Sequence, residues 1–268
     1  MSGAPAISVR GVSFAYSEAG PDVLRDVSLD IGGGTLCALL GPNGSGKTTL
    51  LNLILGWHKP WAGRVEIGGR PSDGLTRREM SRAVGFVAQE EPLGFELSVL
   101  EYVLLGRAPY LGFLEMPGPE DRTAAESALD TAGVRKFRGR TLPTLSSGEK
   151  QLASLARVLA QDPGVFLLDE PMSHLDLANT QRICWTLETL RDRGKTVVFT
   201  THDPNVASAS ADVVVLLLKG RIVAAGSVRE TLTADNIRAV YGVEAEILEG
   251  NGRPVVLTRL RRRKPADG

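Results

Sequence analysis

The 268-residue sequence is poor in the residues that build disulfides and zinc sites, with only two cysteines and three histidines. Cys37 and Cys184 are far apart and belong to no CxxC motif or Cys/His cluster. This spacing argues against a disulfide framework and against a structural zinc site. It fits a reducing compartment, so we expect a cytoplasmic protein.

The sequence also lacks an excess of charge of either sign. Lys and Arg together number 31, and Asp and Glu together also number 31. Without a net field, nothing draws the whole molecule to nucleic acid, and we expect no nucleic-acid partner. The basic run at residues 259–264 is predicted to be a solvated end, with contact to a lipid surface as the alternative.

No apolar run is long enough to cross a membrane. The longest purely aliphatic run is residues 213–218, whereas a spanning helix needs roughly 20 apolar residues. Residues 1–7 have neither the basic start nor the apolar stretch of a secretory signal. Any membrane-spanning part is therefore expected to belong to another chain.

The residues that are abundant predict an α/β fold. Short β-branched runs alternate with longer segments of helical period, a pattern typical of a mainly parallel sheet with crossover helices. An opening antiparallel pair is predicted first, followed by buried strands that precede or separate the helices. The predicted strands are residues 9–16, 23–31, 35–40, 84–88, 165–168, 196–200 and 213–218.

A helical insertion is predicted within this sheet domain. No buried strand pattern occurs between Gln89 and Leu145, where residues 99–106 and 120–132 instead have helical character. We therefore predict one domain over residues 1–268, in which several parts are distinguished. The parts are a nucleotide-binding core at 1–88 and 161–235, a helical lobe at 89–160, and a C-terminal extension at 236–268.

Residues 41–48, with the sequence GPNGSGKT, fit the GxxxxGK[ST] pattern of a phosphate-binding loop between a strand and a helix. Glycines let successive backbone N–H groups face phosphate oxygens, and the helix N-terminus adds a positive dipole end. Lys47 supplies charge for the outer phosphates of ATP, and the Thr48 hydroxyl suits Mg²⁺. The predicted ATP-binding residues here are Gly41, Pro42, Asn43, Gly44, Ser45, Gly46, Lys47, Thr48 and Thr49.

This glycine-rich segment has two other interpretations. A coincidental turn is disfavoured by the flanking strand and helix, and a dinucleotide site by the absence of GxGxxG. The phosphate loop is the interpretation that explains the Lys47–Thr48 pair.

A second site signal is the apolar strand 165–168, which ends in the adjacent carboxylates Asp169 and Glu170. Sheets of this class bind ligands at the carboxyl ends of their strands. Because successive side chains on a strand diverge, Asp169 is predicted to face Mg²⁺ beside Thr48, with Glu170 as the general base toward water. Alone, such a turn is more often an ordinary polar one; the upstream phosphate loop reverses that expectation.

The run 145–151, LSSGEKQ, resembles the signature motif of ABC ATPases. Ser146 offers a hydroxyl and Gly148 an unobstructed N–H at the start of a predicted helix, which attracts a γ-phosphate. Ser147 and Glu149 stand where the motif more usually has Gly and Gln. Ser146, Ser147, Gly148 and Glu149 are accordingly predicted to contact ATP.

The resemblance implies roles for residues elsewhere in the chain. Tyr16 is similar to the aromatic residue that stacks on adenine, Gln89 to the glutamine that senses Mg²⁺ or water, and His202 to the switch histidine. Asp176, in the loop after the catalytic strand, is assigned to the ATP site. The family further implies a head-to-tail dimer, with each ATP between one copy's phosphate loop and the other's signature.

The subgroup is suggested by residues 104–112, 173–176 and 241–245, which resemble the ATPases of ferric siderophore, haem and cobalamin importers; Met172 departs from the usual Thr. That resemblance implies membrane permease subunits, an external binding protein and a peripheral place on the cytoplasmic face of the membrane. The alternatives are a soluble ABC protein of translation or DNA repair, an ABC subunit for another cargo, and a small-metabolite kinase. The kinase would leave the signature and His202 without a purpose.

A docking surface for the permease is predicted beside Gln89. Leu93, Phe95 and Leu97 are apolar residues in a short stretch that contains Pro and Gly, as an exposed contact surface would be. Packing inside the helical lobe is the alternative for these three side chains.

Overall fold

The computed structural model describes residues 5–89, 96–173 and 175–258. The strands are β1 (Ile7–Phe14), β2 (Leu24–Ile31), β3 (Leu36–Leu40), β4 (Ala62–Ile67), β5 (Arg70–Pro71), β6 (Val84–Val87), β7 (Val165–Leu168), β8 (Thr196–Thr201), β9 (Val213–Leu218), β10 (Arg221–Ser227), β11 (Ala245–Gly250) and β12 (Arg253–Thr258). The helices are α1 (Lys47–Ile54), α2 (Arg77–Ala83), α3 (Val99–Leu104), α4 (Pro119–Thr131), α5 (Ser147–Gln161), α6 (Leu177–Asp192), α7 (Pro204–Ser210), α8 (Val228–Thr231) and α9 (Ala234–Tyr241).

The central sheet has the order β10-β9-β3-β8-β7-β6. Its five strands from β9 to β6 are parallel, and β10 pairs antiparallel with β9 at the edge. The α/β class predicted from the sequence is confirmed. In β3, alternate residues Leu36, Ala38 and Leu40 pack in one core cluster, whereas Cys37 and Leu39 pack in a second cluster on the opposite face. A strand buried on both faces is expected to be a continuous apolar run, as β3 is.

A second, antiparallel sheet covers one face, in the order β2-β1-β4-β5. The opening antiparallel pair was predicted, although β1 ends at Phe14, so Tyr16 lies beyond the strand. β4, β5 and the edge strand β10 were missed. β10 is an edge strand in which exposed and half-buried residues alternate, so it is not a fully buried run of the kind that identifies the central strands.

α3, α4 and α5 pack together as a helical layer, which we call the helical lobe. The helix predicted at 99–106 ends earlier, because α3 continues as a 3-10 helix, Leu105–Tyr110, that contains Pro109. Proline has no backbone N–H to donate to a carbonyl of the preceding turn, so Pro109 disfavours continuation of α3 as an α-helix. α4 closely matches the helix predicted at 120–132.

The described part of the chain ends with α9 and the hairpin β11–β12, which packs on α7. This hairpin was also missed in the sequence. Among the helices of the described ranges, none is both long and apolar enough to cross a membrane.

Candidate active site

The phosphate loop connects β3 to α1 and depends on glycines at specific positions. Gly44 and Gly46 have φ values of 76° and 106°, a region that other residues rarely adopt. A Cβ at Gly41 would lie 2.2 Å from the Leu217 carbonyl oxygen, which leaves no room for a larger residue. Gly46 then precedes the first turn of α1 and accepts the N–H of Leu50 at 2.9 Å. The loop therefore has the tight geometry that the sequence predicts.

Lys47 is nearly buried at the base of this loop. Its Nζ donates to the carbonyl oxygens of Gly41 at 2.8 Å and Pro42 at 3.3 Å, and it lies 3.6 Å from Glu170 Oε1. Burial lowers the pKa of Lys47, while the carboxylates of Glu170 and Asp169 oppose that change. The ammonium group is thus held inside the loop, at the place where it would meet an anion.

Asp169 directly follows β7 and is 3% exposed. Its carboxylate accepts hydrogen bonds from hydroxyl groups of α1 and β8. Thr48 Oγ1 donates to its Oδ2 at 2.7 Å, and Thr200 Oγ1 donates to its Oδ1 at 2.6 Å. The Glu170 backbone N–H in turn donates to Thr200 Oγ1 at 2.7 Å. Sequence reasoning missed Thr200, which lies near the end of β8.

Glu170 is held between a lysine and a histidine. Its Oε1 faces Lys47 Nζ at 3.6 Å, and its Oε2 lies 3.1 Å from His202 Nδ1. The residue has a φ of 44°, a strained conformation for a residue with a Cβ and one that clusters at functional sites. The turn is fixed by Ser173, whose N–H and hydroxyl both donate to the Glu170 carbonyl.

A further residue reaches this cluster from the C-terminal part of the chain. The Tyr241 hydroxyl donates to the His202 carbonyl oxygen at 3.1 Å. Burial, together with the carboxylates of Asp203 and Glu170, raises the pKa of Tyr241 above its ordinary value, so the phenol keeps its proton. The sequence marked residues 241–245 as a subgroup feature but gave Tyr241 no role.

A cavity of about 520 Å³ brings most of the predicted residues together. Gln89 lies in its wall, although no described hydrogen bond holds its side chain there. Buried Ser45 Oγ has no hydrogen-bond partner among the described residues, so it can accept a ligand contact. The lining residues are Val23, Asn43, Gly44, Ser45, Gly46, Lys47, Thr48, Thr49, Gln89, Glu170, Ser173 and His202. Val23 and Ser173 were not among the predicted site residues.

Tyr16 does not line this cavity but contacts Thr49, which does. Its hydroxyl is 3.0 Å from Thr49 Oγ1, and its ring is 60% exposed. The ring meets Phe14 and His58 edge-on, at centroid distances of 5.0 and 5.5 Å. An exposed aromatic face beside the phosphate loop is available for stacking. No sequence pattern pointed to His58.

The signature residues 146–149 lie at the start of α5 and do not line this cavity. Ser146 caps α5, since its hydroxyl accepts the Glu149 N–H at 3.3 Å and its own N–H donates to Glu149 Oε2 at 2.9 Å. The backbone N–H of Ser146 holds the pKa of Glu149 below its ordinary value. The unusual glutamate is therefore half of a capping box. Ser147 is exposed at this tip.

Gly148 is buried against the loop that contains Asp176. A Cβ at Gly148 would lie 3.2 Å from Leu175 Cδ2, tighter than most real contacts. Asp176 caps α6 by accepting the Asn179 N–H at 2.7 Å. The structure thus places Gly148 beside Leu175 and Asn179, on either side of Asp176, but none of residues 146–149 and 176 lines the described wall of the Lys47 cavity.

Comparison with known sequences decides the family. The profile described as "ABC transporter" matches residues 24–173, more than half of the chain. The chain belongs to the ABC transporter family. This ABC protein is therefore an ATP-binding cassette that hydrolyses ATP, as the phosphate loop and signature predicted.

Relatives match the ABC protein over nearly its full length. The manganese transport system ATP-binding protein MntA of Synechocystis is 37% identical over 88% of this chain and 90% of its own. The hemin import ATP-binding protein HmuV of Bordetella bronchiseptica is 36% identical over 94% of this chain and 100% of its own.

Solved structures share the fold of the ABC protein. An inward-facing ABC transporter of the metal-chelate type has a TM-score of 0.83 at 32% identity, covering 96% of this chain and 98% of its own. A dimeric bacterial ABC transporter cassette has a TM-score of 0.75 at 33% identity, covering 83% of this chain and 99% of its own.

Proposed function

We propose that this chain is the ATPase subunit of an importer that takes up a metal ion, haem or a metal chelate through a separate membrane permease. The contact that carries the proposal is the Lys47–Glu170–His202 arrangement at the phosphate loop, with distances of 3.6 and 3.1 Å. The cargo class rests on the relatives, whose names specify manganese transport and hemin import. Ferric siderophores and cobalamin stay within the proposed range because of the sequence resemblance at 104–112 and 241–245.

Each residue of the cluster has a chemical task in ATP hydrolysis. Lys47 supplies a desolvated positive charge for the outer phosphates, and the N–H groups of the loop surround them. Glu170, fixed between Lys47 and His202, accepts a proton from the attacking water as general base. His202 orients that carboxylate. Such a fixed arrangement of charges needs little reorganisation during the reaction.

The oxygen atoms beside the loop fit Mg²⁺. Thr48 Oγ1 and Asp169 Oδ2 lie 2.7 Å apart, and hard oxygen donors of this kind suit the ion. Gln89, in the same cavity wall, can provide a third oxygen. When bound with ATP, Mg²⁺ would neutralise charge on the outer phosphates.

A head-to-tail dimer would complete the ATP site. The N–H groups at the start of α5 and the Ser146 hydroxyl form an anion-attracting helix end outside the Lys47 cavity. A second copy can supply that end to the cavity, as the family resemblance implies. Similarity to a dimeric cassette supports this arrangement.

A groove of about 580 Å³ between the core and the helical lobe is the proposed seat for a helix of the permease. Trp57 and Leu105 are 61% and 51% exposed there, and the Trp57 ring stands edge-on to Phe86 at 5.2 Å. Leu93 and Phe95, the sequence-based candidates, lie outside the described residues. Leu97 packs against the larger core cluster. This agrees with the alternative from the sequence, in which its side chain is packed inside the protein rather than exposed for docking.

Reconstitution with the permease and binding protein in lipid vesicles tests this function. We expect Mg-ATP hydrolysis to rise when the binding protein carries its cargo, and haem, ferric siderophore, cobalamin and Mn²⁺ can be compared singly. Copurification of the chain with ribosomes or DNA, without a membrane protein, would favour the soluble ABC alternative. Stimulation by an unrelated cargo would overturn the cargo class alone.

A further inference from the structure

The segment after β8 is hydrogen-bonded along its whole length to the C-terminal segment, which we define as residues 234–258 (α9, β11 and β12). The bonded positions run from His202, next to Glu170, through α7 to Ala211. The contacts are Tyr241 Oη to His202 O at 3.1 Å, Asn205 Nδ2 to Val256 O at 3.1 Å, Val256 N to Asn205 Oδ1 at 2.8 Å, Ser208 Oγ to Pro254 O at 2.5 Å, and Arg253 Nη1 to Ser208 O and Ala211 O, both at 2.7 Å.

These contacts fix both ends of α7. Arg253 satisfies carbonyl groups at the helix C-terminus, which an isolated helix would leave without partners. Asn205 exchanges two hydrogen bonds with the backbone of Val256, as a neighbouring strand would. The C-terminal segment therefore holds the segment that begins at His202 through the backbone carbonyls of His202, Ser208 and Ala211, and through the side chains of Asn205 and Ser208.

The contact nearest the reaction is made by Tyr241. The His202 imidazole is 58% exposed, so packing does little to orient it, and its Nδ1 lies 3.1 Å from Glu170 Oε2. Its backbone, by contrast, is held on one side by β8 and at the carbonyl oxygen by the Tyr241 hydroxyl. Loss of this hydroxyl would let the His202 backbone shift, and with it the imidazole. A small shift in such a group is costly in catalysis.

We propose that Tyr241 is a positioning residue for His202, through which the C-terminal segment sets the rate of ATP hydrolysis. This rests on the proposed roles of Glu170 and His202. Tyr241 does not line the described wall of the Lys47 cavity. It should therefore affect the turnover of bound ATP, with little effect on ATP binding.

The test is Tyr241→Phe in the full-length chain, which removes the hydroxyl and keeps the ring. One lost hydrogen bond corresponds to a fall in kcat of about two- to tenfold, with KM for Mg-ATP and Tm little changed. Tyr110→Phe is the matched control, because the Tyr110 hydroxyl donates to the Gln161 carbonyl at 2.8 Å, away from His202. Its kcat should equal that of the wild type.

A double-mutant cycle separates positioning of His202 from a general structural effect. In a His202→Ala background, followed by single-turnover hydrolysis, Tyr241→Phe should have no further effect on the rate. An equal fall in both backgrounds, a rise in KM alone, or an unchanged kcat in Tyr241→Phe would overturn the proposal. Full turnover in His202→Ala would instead remove the role of His202 on which the proposal depends.

Discussion

Thr48 Oγ1 donates a 2.7 Å hydrogen bond to Asp169 Oδ2, although the two residues are 121 positions apart in the sequence. The contact exists because β3, which leads into the phosphate loop, is separated from β7 by β8 alone in the sheet. β8 contributes Thr200, whose hydroxyl donates to the other Asp169 oxygen at 2.6 Å. A buried carboxylate is thus stabilised by two hydroxyl donors, and the three strands align the phosphate loop with Glu170.

Replacing Lys47 with alanine should abolish ATP hydrolysis. The Nζ group donates to the loop carbonyls of Gly41 and Pro42, and its contact to the outer phosphates would be charge-assisted. A loss of about 1,000-fold or more in kcat/KM is expected, with the fold retained. Turnover is measured by phosphate release from the purified variant, and circular dichroism checks the fold.

Lys195→Ala is the matched control for Lys47→Ala. Lys195 also pairs with a carboxylate, Asp162, at 2.6 Å, but it precedes β8 and lies at the opposite end of that strand from His202. The Lys195→Ala variant should hydrolyse ATP at the wild-type rate. Equal turnover in Lys47→Ala and the wild type would remove the phosphate-loop assignment.

Glu170→Gln should bind ATP and barely hydrolyse it. The amide keeps the shape of the side chain at its unusual φ of 44°, but it cannot accept the proton from water. A fall in kcat of about 100- to 10,000-fold is expected. Size-exclusion chromatography with Mg-ATP should show a stable dimer, because the bound nucleotide is not consumed. A monomer under these conditions, together with persistent turnover, would contradict the general-base role.

The central strands could be predicted from the sequence because parallel strands buried on both faces are apolar runs, unbroken in β7 and β9. The hairpin β11–β12 could not, because β11 has no buried residue and carries two glutamates, and β12 begins with Arg253 and Pro254 rather than with an apolar run. Within the site, Asp169 and Glu170 follow a recognisable strand and a phosphate loop. Thr200 and Tyr241 have no such local pattern, since only the pairing of β7 with β8 and the packing of α9 bring them to Glu170.

Ser146→Ala should lower both stability and ATP turnover. The hydroxyl caps α5, and losing such a cap costs about 0.5–2 kcal/mol of unfolding free energy. Ser98→Ala is the matched control, because Ser98 and Glu101 form the same capping box on α3. Chemical denaturation should show similar losses for both variants, whereas phosphate release should fall in Ser146→Ala alone. Equal turnover in the two variants would leave the Ser146 hydroxyl with a capping role only.

The same cap gives an expected dependence on pH. The Ser146 N–H lowers the pKa of Glu149 from its ordinary value of 4.5, so the ionised carboxylate stabilises the folded state. That stabilisation is fully present above 4.5 and is lost as the pH falls through the lower pKa of the folded state. The Tm difference between wild type and Glu149→Gln should therefore shrink in acid. A difference that grows below pH 4.5 would contradict the capping assignment.

Trp57→Ala should weaken assembly with the permease while leaving the isolated chain folded and able to bind ATP. The indole is 61% exposed at the groove between the core and the helical lobe, where a helix from a partner could bury it, and aromatic anchors of this kind dominate interface energies. Truncating one typically costs about 2–4 kcal/mol, a loss of roughly 30- to 1,000-fold in affinity. Trp185→Ala on α6 is the control, since that indole has the same 61% exposure but lies outside the groove lining. Copurification with the permease and ATPase stimulation in vesicles are measured on both variants. If Trp57→Ala and Trp185→Ala reduce assembly equally, the permease binds at another surface.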